Sequence, residues 1–212
     1  MQNNTIIFGD SYCTFKGFIP KGYLPYYTER KCYKTDVTDV SQTWWYQVFN
    51  EANLNLVLND SWSTSTIGYT GYYDMDCSAS SSFIYRLKKL IEAGFFQENE
   101  IHKAFVFGGT NDSWSNAPLG KPDHRNWEHE DLYEVLPAID YFLHLLKQTI
   151  PHAEIYCLVN TGLKPEITNW MLQVCERYGI VPIVFDHIDK KCGHPTIQGM
   201  LDIKHGVLKA LK

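Results

Sequence analysis

The chain has no apolar run long enough to cross a bilayer, no closely spaced cysteine pair, no excess of positive charge and no repeated or low-complexity segment. Each absence removes a class of protein. Stretches such as Leu54 to Leu58 and Ile183 to Phe185 fall far short of the roughly 20 apolar residues that a spanning helix needs, so no membrane partner is expected. Six cysteines (Cys13, Cys32, Cys77, Cys157, Cys175, Cys192) lie scattered without a CxxC pair, and a domain of this size needs no staples. They read as free thiols in a reducing compartment. A net charge of -5 argues against a nucleic-acid or acidic-membrane partner and leaves a small neutral or cationic substrate as the better fit. Met1-Gln2-Asn3-Asn4 lacks the basic start and apolar block of a leader, so a cytoplasmic location is expected as the sequence stands, and a secreted or periplasmic one if a leader has been removed.

What the chain does have is ordinary bulk and an unusual share of rings. Its 212 residues, 44% apolar and 20% charged, suit one domain with a sizeable core, spanning residues 1–212. Aromatics make up 15%, and many fall outside periodic segments: Tyr23, Tyr26, Tyr27 and Tyr33 in one stretch, Trp62, Tyr69, Tyr72 and Tyr73 in another. Rings with a polar tip either pin a long loop to its domain or line a wet groove, and flat rings stack on sugar faces.

Short apolar runs alternate with helical periods. Thr5 to Phe8 is β-branched and aromatic, stops at Gly9-Asp10, and reads as a strand ending in a turn. From about residue 15 to 40 no period is sustained, and Pro20, Gly22 and Pro25 break it, which predicts a long aromatic-rich loop. Ser41 is the expected N-cap of a helix through Asn50. Further strands are expected at Leu54 to Leu58, Ala104 to Phe107, Glu154 to Val159 and Val181 to Phe185. Helices are expected from about Ser82, from Glu130-Asp131 with Pro137 as a kink, from Lys164 to Tyr178 and from Thr196 to Leu211. The polar segment Ser113 to His129 is expected to cover the sheet edge where the strands end. This alternation predicts an α/β fold, a three-layer α/β/α sandwich with a five-stranded parallel sheet.

Three segments stand at strand ends or before a helix: Gly9-Asp10-Ser11, Gly109-Thr110-Asn111-Asp112 and Gly193-His194-Pro195. They bring a hydroxyl, a side-chain amide and an imidazole to one edge of a parallel sheet, where open α/β folds build their sites. In this order they resemble the first, third and fifth sequence blocks of the SGNH hydrolase superfamily, the GDSL-type esterases and lipases. The resemblance extends from residue 9 to residue 194 and includes a second block, with Asn59, Ser63, Thr64 and Thr66 in its places. Thr64 stands where that family has glycine.

The resemblance implies a flavodoxin-like sheet order and a serine ester hydrolase without cofactor or metal. Ser11 would be the nucleophile and His194 the base. The backbone N–H groups of Ser11 and Thr64 and the amide of Asn111 would form the oxyanion hole. That family usually carries an acid three residues before its histidine, and Lys191 occupies that place here. Asp189 is the favoured orienting acid, with Asp186, a backbone carbonyl or water as alternatives. Asp10 and Asp112 are expected to shape the turns.

A cysteine mechanism through Cys13 or Cys192 with His194 is a competing reading, with Cys192 too near His194 in sequence for an easy in-line geometry. A metal at His187, Asp189 and His194 is another, without an accepted zinc spacing. No long apolar cluster adjoins the motifs, and tyrosines and tryptophans crowd the loops. A short acyl group, foremost acetyl, on a small molecule or saccharide is therefore the expected substrate. The alternative from another class is a non-catalytic carbohydrate-binding or scaffold domain on the same fold.

Overall fold

The computed structural model describes residues 3–122 and 126–212. Met1, Gln2 and residues 123–125 of the polar segment lie outside the described residues. Five parallel strands, β1 (Asn3–Gly9), β2 (Leu54–Ser61), β3 (Lys103–Phe107), β4 (Glu154–Val159) and β5 (Val181–Val184), form one sheet in the order β2-β1-β3-β4-β5. The central strands are buried on both faces, as their near-continuous apolar runs require. The helices are α1 (Trp44–Glu51), α2 (Phe83–Glu92), the short α3 (Phe95–Glu98) and α4 (Thr110–Trp114), then α5 (Val135–Thr149), α6 (Pro165–Tyr178) and α7 (Ile197–Ala210).

Two cores flank the sheet. On one face Phe83, Leu87, Ile139, Phe142, Ile167 and Met171 carry α2, α5 and α6 against Phe8, Val106 and Cys157. On the other, Trp44, Val48, Ile203 and Val207 carry α1 and α7 against Ile7, Phe105 and Leu158. The chain therefore winds outward in both directions from the β1–β3 pair. Ligands of open α/β sheets bind at such a reversal, beyond the carboxyl ends of the strands. Ser11 follows β1 and Asn111 follows β3, so both stand at that place.

Several local expectations shift. Ser41 does not cap α1: Asp39 and Gln42 close a capping box around a 3₁₀ turn, Val40–Gln42, and Thr43 is the residue that enters the helix. Glu130 and Asp131 belong to a separate 3₁₀ turn, Glu130–Tyr133. Helix α5 starts after it, so Pro137 lies in its first turn, where the missing N–H breaks no helical bond and no kink is required. A two-stranded antiparallel hairpin, β6 (Lys190–Lys191) with β7 (His194–Pro195), was not visible as periodicity because each strand is two residues long.

Candidate active site

Strand β1 ends at Gly9, where a Cβ would lie 2.5 Å from both the Cys13 Cβ and the Ser61 Oγ, so only glycine fits. The chain then turns through a 3₁₀ helix, Ser11–Cys13, whose cap Asp10 accepts a hydrogen bond from the Tyr12 N–H at 2.9 Å. Asp10 is fully buried, and burial pushes its carboxyl up to about 7. The end of β2 is tied to the same turn: Asn59 Nδ2 donates to the Cys13 carbonyl at 2.9 Å, and the Trp62 N–H donates to the Gly9 carbonyl at 3.0 Å.

Ser11 Oγ lies 2.9 Å from His194 Nε2. The other ring nitrogen, Nδ1, lies 3.2 Å from the Cys192 carbonyl oxygen. A carbonyl only accepts, so Nδ1 carries the proton and Nε2 is free to accept from the Ser11 hydroxyl. Burial pulls the His194 pKa down to about 4, reinforced by the charges of Lys190 and Lys34 and opposed by the Cys192 carbonyl. The imidazole is neutral near pH 7, the form a general base needs.

Backbone geometry holds this histidine. The pairing of Lys191 with His194 closes a two-residue turn at Cys192 and Gly193, with φ of 50° and 78°, the left-handed pair of a type I′ hairpin. A Cβ on Gly193 would also lie 3.0 Å from the Trp114 ring. Tyr12 Oη donates to the Gly193 carbonyl at 2.6 Å and Tyr27 Oη to the Pro195 carbonyl at 2.9 Å. Tyr26 stacks on the imidazole with centroids 3.5 Å apart and planes 8° from parallel. Lys190 Nζ reaches Asn160 Oδ1, Thr161 Oγ1 and the Thr161 carbonyl, which anchors the hairpin to the end of β4. The rings of the long loop thus fasten the hairpin.

Asp189 does not meet His194. Its carboxylate accepts from Thr196 Oγ1, and Thr196 in turn caps α7 by accepting from the Gly199 N–H at 3.1 Å. The hairpin turns the chain between Asp189 and His194, which sends the carboxylate toward the start of α7 and leaves the Cys192 carbonyl as the partner of Nδ1.

Asn111 lies in the first turn of α4. Its Nδ2 donates one hydrogen to the Ser65 carbonyl at 2.9 Å, and its Oδ1 accepts from Tyr72 Oη at 2.9 Å. These two bonds fix which end of the amide is which and leave one N–H of Nδ2 uncommitted. Next to it, the buried Asp112 carboxylate accepts from the Ile67 N–H at 3.0 Å and the Gly68 N–H at 3.2 Å, and burial raises it to about 6. It ties the loop after β2 to the turn after β3.

Thr64 sits in that loop with φ of 70° and its side chain exposed. This left-handed backbone is what glycine adopts freely, and a β-branched residue held there is under strain of about 1–2 kcal/mol. Thr64 thus holds the backbone conformation expected of a glycine at this place.

Two contributors escaped the sequence reading. Tyr72 is one, 39 residues from Asn111 and in no motif. Arg86 is the other: 1% exposed, it binds the Asp60 carboxylate at 2.7 Å and reaches the Gly9 and Ser81 carbonyls. The one sequence signal for it was its place on the apolar face of α2, between Phe83 and Leu87. All six cysteines are unpaired. Cys13 is buried with its thiol pushed well above the usual range, which makes it a poor nucleophile. Among the described residues no three His, Cys, Asp or Glu side chains gather as a metal site would require, and no helix is long and apolar enough to cross a membrane.

Residues 3–211 match the family model for GDSL-like Lipase/Acylhydrolase. A crystal structure assigned to the GDSL-like lipases from Bacteroides ovatus ATCC 8483 is 39% identical, with a TM-score of 0.92 over 100% of this chain and 98% of that one. A second, from Bacteroides uniformis ATCC 8492, is 40% identical, with a TM-score of 0.91 over 99% and 95%. An acetyl xylan esterase from the rumen bacterium Butyrivibrio proteoclasticus shares the fold at 16% identity, with a TM-score of 0.62 over 99% of this chain and 63% of that one. No curated protein matches the chain.

Proposed function

Because the chain belongs to the GDSL-like lipase and acylhydrolase family and is an ester-bond hydrolase, we propose that it cleaves short acyl esters through a Ser11–His194 dyad. The observation that carries this reading is the 2.9 Å contact of Ser11 Oγ with His194 Nε2, on a ring whose Nδ1 is committed to the Cys192 carbonyl.

As Ser11 Oγ attacks the ester carbonyl carbon, its proton passes to His194 Nε2. The carbonyl oxygen becomes an anion, met by the backbone N–H groups of Ser11 and Thr64 and by the uncommitted N–H of Asn111; one such donor commonly contributes about 10²- to 10³-fold in turnover. His194 then gives the proton to the departing alcohol oxygen, leaving an acyl group on Ser11. Water, deprotonated by the same imidazole, releases the acid. The Cys192 carbonyl takes the part that a carboxylate plays elsewhere, holding the tautomer and partly balancing the imidazolium.

The leaving alcohol must lie against His194, since it collects its proton there. Trp114 stands beside that ring, with centroids 6.0 Å apart, and is 43% exposed. A flat exposed indole at this position suits a sugar ring, so an acylated carbohydrate, acetyl esters included, is the proposed substrate class. The acetyl xylan esterase of the same fold is in keeping with this. The test is hydrolysis of p-nitrophenyl acetate and labelling by a fluorophosphonate. Both are expected in the native chain and absent in Ser11→Ala. No turnover of any short acyl ester or acetylated sugar, with no labelling, would leave a carbohydrate-binding domain instead.

A further inference from the structure

Beside the oxyanion donors lies a pocket of about 330 Å³, bordered by Thr64, Tyr72, Tyr73, Met75, Cys77 and Ser81. Two of these residues belong to both places. Thr64 supplies its backbone to the proposed oxyanion hole, and Tyr72 spends its hydroxyl on Asn111 at 2.9 Å while its ring forms a wall of the pocket. The remaining wall is a compact lobe. The Gly71 N–H donates to the Met75 carbonyl at 2.8 Å, the Cys77 N–H to the Tyr69 carbonyl at 2.7 Å, and Thr70 bridges to Asp76. Tyr73 and Asp74 at its tip both take left-handed backbone, with φ of 57° and 56°. This holds Tyr73 at the rim, 97% exposed, and Met75 beside it, 62% exposed.

The chemistry assigns a direction to this pocket. A carbonyl carbon under attack by Ser11 carries an oxygen, which the hole takes, an alkoxy group, which must face His194 to be protonated, and the acyl chain. The His194 side is occupied by Tyr26, Trp114 and the hairpin. The acyl chain is the substituent left to point past Thr64 and Tyr72.

Resting on the esterase reading above, we propose that the Thr64–Ser81 pocket is the acyl-binding site and takes an unbranched aliphatic acyl chain of about four to eight carbons. An acetyl methyl, at roughly the 30 Å³ share of a water molecule, would fill about a tenth of it. Its border offers a thioether, a thiol, two tyrosine rings and the small side chains of Thr64 and Ser81, with no charged group, which suits a hydrocarbon chain.

The experiment measures kcat/KM of the native chain on p-nitrophenyl acetate, butyrate and hexanoate, and repeats the series in Met75→Trp and Ser81→Phe, which fill the pocket. The expected result is a roughly tenfold preference for butyrate over acetate from two buried methylenes, sustained at hexanoate. Both filled variants should lose that preference, and labelling of Ser11 by a fluorophosphonate reports that they fold with the nucleophile intact. A Ser11-dependent acetate activity that falls steadily with chain length, or a profile the filled variants leave unchanged, overturns the pocket assignment alone. No hydrolysis of any of the three esters overturns the esterase reading and this assignment with it.

Discussion

Replacing Asp189 by alanine separates a dyad from a triad. In the structure its carboxylate accepts from Thr196 Oγ1, its backbone N–H donates to Asp202 Oδ2 at 3.0 Å, and its carbonyl accepts from the Thr196 N–H at 3.1 Å. The substitution removes only the first of these. Thr196 still caps α7 through the Gly199 N–H, and the His194 ring keeps its bond to the Cys192 carbonyl. One partly buried hydrogen bond is worth about 1 kcal/mol, which in a chain of this length lowers Tm by about 3 °C. With the catalytic ring untouched, kcat/KM on p-nitrophenyl acetate should stay within about threefold of the native value, the scale of substitutions away from a site. The assay is that kinetic constant across pH, beside a thermal melt of the same preparation. A loss approaching the about 10⁴-fold seen when a true triad acid is neutralised, with the melt little changed, would refute the geometry argued here.

The pH profile tests the same site from another side. The reaction needs neutral His194, whose pKa burial lowers to about 4, so kcat/KM should hold steady as pH falls through 6.5 and decline only near the lowered value. An acid limb centred at or above the ordinary histidine pKa, about 6.5, would contradict this. Tyr72→Phe keeps the pocket wall and removes the hydroxyl from Asn111; kcat should fall about tenfold, the worth of one hydrogen bond, with KM unchanged. In an Asn111→Ala background the same change should cost nothing further. An undiminished loss in that background would show that Tyr72 does not act through Asn111.

The architecture was legible because punctuation marks interrupt the apolar runs. Gly9-Asp10 and Gly108-Gly109 stand where β1 and β3 end, whereas β2 runs on through Asn59-Asp60-Ser61, paired with Ile7, Phe8 and Gly9. The helices between carry a clear 3.6 period, so the alternation of strand and helix followed, while the sheet order was implied by the family resemblance. Ser11, Asn111 and His194 were readable because they stand beside those marks. What could not be read is what depends on short elements or on distant pairs. Hairpin β6–β7 has too few residues to show alternation, so Asp189 looked like a neighbour of His194 although the turn directs it to Thr196. Tyr72 and Arg86 act across 39 and 26 residues on Asn111 and Asp60, and no local pattern names those partners. Ser41 lost its capping place because Asp39 and Gln42 close a box around the turn Val40–Gln42, which puts Ser41 inside it and moves the entry to α1 to Thr43.

The partner of His194 Nδ1 is a peptide oxygen, and a peptide oxygen is not encoded by any one codon. A side-chain acid in that role is lost by a single substitution, whereas every residue type at position 192 that tolerates the turn supplies the same carbonyl. A substitution at Lys191 therefore leaves the partner of the base in place. The vulnerable position is Gly193, whose left-handed backbone and closeness to Trp114 admit little else. Among diverging copies of this chain, the hairpin's turn should be held more tightly than any carboxylate near it.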